Sequence, residues 1–152
     1  MIMKNVILVN AVQNSNHALL AFETKSLTPA SAYRAIKLRC ALKDAWEKYL
    51  EAEQGCLAEA GIEDVQSFEV HRHELKEKAG KTKEEEAELK AMNEKVARYN
   101  ELRDLLLNDV VDFSGIKPIS FEEWLKFKQE NPCITADIED ALMGIAWSEP
   151  EE

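Results

Sequence analysis

Apolar residues recur at near-heptad spacing along two stretches of the chain. Ala35, Leu38, Leu42, Ala45, Tyr49, Ala52 and Cys56 step by 3,4,3,4,3,4, and Leu89, Met92, Val96, Tyr99, Leu102, Leu106 and Val110 step by 3,4,3,3,4,4. Each set falls along one side of a helix. Two seams of similar length each need an apolar partner and can serve as each other's. The pattern predicts a mainly α fold: a long, coiled-coil-like antiparallel hairpin (29–60 and 83–109) with short terminal helices packed on its open end.

The flanking signals set the boundaries. Thr28 is a suitable N-cap, Pro29 sits where its missing N–H costs nothing, and Gly61 occupies the position glycine favours after a helix. Residues 62–81 are expected to form a short, partly ordered tip carrying Val65, Phe68, Val70 and Leu75. Thr82 with Glu85, and Ser120 with Glu123, have capping-box spacing. The second box opens a helix presenting Phe121, Trp124, Leu125 and Phe127, which Asn131-Pro132 ends. Thr135 can cap a last helix over 136–146, and residues 110–113 can form a short strand. Residues 5–23 read as a helix capped by Asn5, with a β-hairpin around NSN as the alternative. One domain is expected over 1–147, followed by a mobile acidic tail, 148–152.

A second row on the first long helix, Ile36, Trp46, Leu50 and Leu57, makes its apolar face wider than a two-helix seam needs. The surplus is covered by the terminal segments or by a second copy. These four residues, with Trp147 as an exposed aromatic anchor ahead of the tail, are the candidate protein-interaction residues.

Charge narrows the partners. The 152 residues carry 19 Lys and Arg against 29 Asp and Glu, a formal net charge of −10. That field repels phosphate, so nucleic acid and anionic membranes are not expected as partners. No apolar run approaches the ~20 residues that cross a bilayer. The three cysteines show no framework spacing, and Cys40 and Cys56 lie on or beside the seam, which suggests packed, reduced thiols in the cytoplasm.

Candidate chemistry is sparse. His71 and His73 are the one dense pair of possible metal ligands; they share a side on a strand but lie about 200° apart on a helix. No phosphate loop, nucleophile elbow or zinc-protease motif is present. The acidic run Glu84, Glu85, Glu86, Glu88 fits a solvated helix face. The expectation is a non-enzymatic protein with no catalytic residues, cofactor or resident metal, acting through a protein partner or as a homodimer. A metal-binding protein or metal-dependent enzyme using His71 and His73, and an acidic nucleic-acid mimic, are the alternatives.

The succession MKNVILVNAVQNSNHALLAF, SLTPASAYRAIKLRCALKDAWEKYLEAEQ, a charged second helix, DFSGIKPISFEEWLKF and ITADIEDALMGI resembles small helical proteins of unknown function encoded in phage and prophage genomes. The resemblance covers most of the chain, by pattern. It implies a short N-terminal helix leading into a long hairpin with a compact region at its ends, and an accessory or structural role. It carries over no catalytic residues.

Overall fold

The structure is a computed structural model that describes residues 1–149. It is mainly helical, with six α-helices and four short strands among those residues. These residues fall into two compact units, one of residues 1–49 with 107–149 and the other of residues 50–106.

In the first unit the N-terminus begins as a strand. β1 (Ile2–Lys4) pairs antiparallel with β2 (Val110–Asp112), Met3 opposite Val111. α1 (Asn5–Asn14) follows directly, its N-cap being Lys4 rather than the expected Asn5. It stops at a left-handed Asn16: the Asn16 N–H reaches Gln13 O and the His17 N–H reaches Val12 O, the paired bonds that close a helix end. ALLAF then makes a single 3₁₀ turn, Ala18–Leu20, so the expected helix over 5–23 covers only its first half.

α2 (Pro29–Ala60) has the predicted bounds. Within the first unit its seam residues Ala35, Leu38, Leu42, Ala45 and Tyr49 are buried. The residues that cover it come from the terminal segments. Trp46 meets the His17 ring edge-on, Arg39 donates to Phe22 O at 2.6 Å, and Arg34 donates to Pro118 O at 3.1 Å.

β3 (Ile119–Ser120) leads into α5 (Phe121–Glu130), and α6 (Ala136–Leu142) ends four residues earlier than expected. Ser120 Oγ accepts the Glu123 N–H at 3.3 Å, but the Glu123 carboxylate caps elsewhere, accepting the Thr28 N–H at 3.1 Å. Thr135 caps α6 through its backbone carbonyl without a side-chain bond. β4 (Trp147–Ser148) runs parallel to β3, so Ser148 belongs to the fold and not to the expected tail. Glu149 is exposed, and the remainder of that tail, 150–152, lies outside the described residues.

In the second unit, the last turns of α2 lie antiparallel to α4 (Lys83–Asn108): Glu53 pairs with Arg103, Glu59 with Arg98, and Gly61 O with Lys95 Nζ. Leu57, Ala60 and Ile62 form the buried cluster, with Phe68 and Tyr99 packed against it. Residues 62–81 hold more order than expected. They contain a 13-residue helix, α3 (Val65–Glu77), whose N-cap Asp64 accepts the Ser67 N–H at 3.1 Å. Phe68, Arg72 and Leu75 fall on one side of this helix: Phe68 packs on the Leu57–Ala60–Ile62 cluster, Leu75 is buried, and Arg72 reaches Asn93 of α4, as His71 reaches Glu88. The capping box of Thr82 and Glu85 is reciprocal, both bonds being 3.1 Å.

Candidate apolar cleft of the first unit

The alternation of β1 and β2 sends Met3 inward and leaves Ile2, Lys4, Val110 and Asp112 exposed on the outer face of the ribbon. The Phe113 N–H bonds Met1 O and the Asn5 N–H bonds Asp109 O, so odd-numbered residues of β1 face β2. The backbone N–H groups of Ile2 and Lys4 therefore point to the edge that no described strand pairs. That edge is three residues long and carries a lysine, two features that blunt strand addition.

Next to this edge lies a cleft of about 400 Å³. Met1 and Ile2 come from the N-terminus, Ile7 from α1, Val110 from β2, and Met143 from just after α6. These five side chains are between 41% and 63% exposed. Asp140, Lys4 and the Met1 ammonium supply its charges, the ammonium lying 3.9 Å from Asp112 Oδ1. A Cβ at Gly144 would stand 2.7 Å from Met1 Cε, so the missing side chain there lets Met1 lie along the wall. A smaller cleft of about 250 Å³ continues between α1 and α6, sharing Ile7 and Ala141 with the first and adding Asn10, Asn14 and Asp137. Beside Val110, Asp112 is held ionised. Its carboxylate accepts the Ser114 N–H at 2.9 Å, which with the Ser114 hydroxyl keeps its pKa below the ordinary aspartate value.

The sequence-derived interaction residues separate on the structure. Ile36 and Leu50 are exposed; Trp46 and Leu57 are buried. Ile36 and Trp46 belong to the first unit, Leu50 and Leu57 to the second. Trp147 is core: it is 5% exposed, stacks on Trp124 with centroids 5.9 Å apart, and donates its indole N–H to Glu139 O at 3.0 Å. An aromatic before a charged tail resembles an anchor, but strand pairing at β4 turns it inward.

His71 and His73 sit two apart on α3 and so on different sides of a helix. His71 Nε2 lies 2.7 Å from Glu88 Oε1. Among the described residues no three His, Cys, Asp or Glu side chains are grouped to hold a metal ion. Cys56 and Cys133 are half-buried, and desolvation raises both thiol pKa values. Cys40 is exposed rather than packed in the seam. No described helix is long and apolar enough to cross a membrane.

The cleft was not singled out from the sequence. Its one signal was Val110-Val111, two adjacent apolar residues of which a strand can bury only one. Compared with known proteins, the chain matches no family model, no curated relative and no solved structure.

Proposed function

We propose that the chain is a non-enzymatic interaction or assembly protein that works through the apolar cleft of its first unit. The observation that carries this reading is convergence. Exposed apolar side chains from the N-terminus, α1, β2 and the end of α6 meet in one cleft on a chain that is otherwise rich in charge. Isolated exposed apolar residues need no explanation, whereas a shared patch with a polar rim suits a partner surface. The resemblance to small helical phage and prophage proteins supports the same role, an accessory or structural one of phage origin. The free thiols, with Cys40 open to solvent, favour a reducing compartment, the cytoplasm.

The test is co-purification from the cell of origin, comparing the tagged chain with a variant carrying Ile7→Lys and Met143→Lys. Both positions are exposed, so the variant should fold. A component retained by the parent and lost from the variant is the expected result. Identical recoveries from the two would remove the cleft as the working surface.

A further inference from the structure

The first unit carries a second surface whose chemistry is the complement of the cleft. From Pro29 to Lys43, α2 contains Arg34, Lys37, Arg39 and Lys43 and no acidic residue. Arg34 and Arg39 are accounted for by their bonds to Pro118 O and Phe22 O. Lys37 and Lys43 are exposed and make no such bridge to a neighbouring element; Lys37 Nζ lies 5.7 Å from the centre of the Tyr33 ring on its own helix. Tyr33, Ile36, Lys37, Cys40 and Lys43 share one side of α2 at helical spacing, and all five are exposed. Tyr33 is the most exposed aromatic of the chain's described large hydrophobics, at 64%. The result is a basic helix face with an apolar centre.

The cleft carries acidic groups that can meet it. Asp137 and Asp140 of α6 line its two parts, alongside Lys4 and the Met1 ammonium, whose own partner is Asp112 at 3.9 Å. Along α1 the lining runs from Ile7 to Asn14, about 10 Å at ~1.5 Å per residue, the length of about two turns of a docked helix.

We infer that the cleft receives the Tyr33–Lys43 face of α2 from a second copy of this chain. Tyr33 and Ile36 would enter among Ile7, Val110 and Met143, while Lys37 and Lys43 would meet the α6 aspartates. The two surfaces share no residue, so the contact is heterologous: each docking event leaves one free cleft and one free helix face, and assembly grows unless its rotation closes a ring. The net charge of −10 on each copy opposes approach at long range, but that repulsion is screened beyond about 8 Å at physiological salt, so the local pairing decides. This inference rests on reading the cleft as an interaction surface and names its occupant.

The experiment is sedimentation of the full chain from roughly 10 μM to 1 mM, a range that brackets weak interfaces. Two variants accompany the parent, one with Ile7→Lys and Met143→Lys in the cleft, the other with Ile36→Glu and Lys37→Glu on the helix face. All four positions are exposed, and circular dichroism checks that each variant folds; Met143→Lys and Lys37→Glu alone serve as milder versions. The parent should self-associate with concentration, and each variant should lose at least about tenfold in association, the scale of one anchor residue. Mixed together, the two variants should form a 1:1 pair that goes no further, because one intact face meets one intact cleft. A parent that stays monomeric throughout, a variant that associates like the parent, or a mixture that restores nothing overturns the inference. Binding of a labelled Leu/Lys amphipathic helical peptide to a monomeric parent, and not to the cleft variant, would overturn it too and give the cleft to a foreign basic helix. A monomeric parent whose cellular component is still lost on cleft substitution leaves the interaction reading standing without self-assembly.

Discussion

Asn131 holds Glu23 through both ends of its side-chain amide. The Glu23 N–H donates to Asn131 Oδ1 at 2.8 Å, and Asn131 Nδ2 donates back to Glu23 O at 2.8 Å and to Phe127 O at 3.0 Å. A buried side chain thus stands in for a strand partner and ties the end of α5 to the segment before α2, 108 positions away in sequence.

Removing that clamp should be costly. Asn131→Ala removes three hydrogen bonds, two of them part-buried, a loss of about 1–3 kcal/mol at roughly 0.5–1.5 kcal/mol for each. Asn131→Asp keeps the shape but sets a carboxylate oxygen against two carbonyl oxygens. It should destabilise at least as much as the alanine variant at pH 7. Urea denaturation of both checks this, and an aspartate variant as stable as the parent would show that the donor half of the amide contributes nothing.

Glycine-to-alanine substitutions six residues apart should have opposite signs. Gly55 lies inside α2 with nothing within 4 Å of an added Cβ, so Gly55→Ala should stabilise by about 0.5–1 kcal/mol through helix propensity. Gly61 has φ +82°, and its N–H and that of Ile62 close the helix on Ala58 O and Leu57 O. Alanine there must adopt the left-handed region, a cost of about 1–2 kcal/mol. Chemical denaturation of the two variants side by side reads both signs.

The long elements were legible because local chemistry punctuates them. Pro29 and Gly61 bound α2, and the Thr82–Glu85 box opens α4, where the sequence places them. What escaped was decided by pairing at a distance. β1 exists because Val110–Asp112 lies beside it, and β4 because Ile119–Ser120 does; three- and two-residue strands have no periodicity to read. Trp147 turns inward for the same reason. The α3 helix was legible in principle, since Asp64 is a cap and Phe68 and Leu75 share a side, but its polar surroundings resemble a connector. The cleft draws on four separate elements, so no single window of sequence contains it.

The capping box of α4 should give the acid limb of stability a traceable component. Lys78 and the Thr82 N–H both bond the Glu85 carboxylate, and these hold its pKa below the ordinary glutamate value of 4.5. A carboxyl depressed in the folded state stabilises fully above its unfolded pKa and loses that contribution as pH falls through the folded one. Glu85→Gln retains a capping side chain and removes the charge. The variant should be less stable than the parent at pH 7, and the gap should narrow as pH drops below 4.5. Urea midpoints at stepped pH, with an NMR titration of Glu85 itself, test this; a constant gap would place the effect in packing instead of charge.

The two heptad seams, equal on paper, should not be equal in cost. Leu42 is fully buried, and Leu38 and Ala45 beside it are buried too, whereas on α4 Met92 is the one buried seam residue among the described positions and Val96 is half-covered. Leu42→Ala should therefore lose about 2–5 kcal/mol, transfer plus the cavity left behind. Val96→Ala should lose about 1 kcal/mol, because part of its surface already meets water. The difference sharpens with charge. Leu42→Asp buries an unpaired carboxylate and should abolish cooperative folding of the first unit, while the aspartate of Val96→Asp can reach solvent. Thermal and urea unfolding of the four variants decides it, and equal losses at 42 and 96 would mean that α4 is covered as deeply as α2.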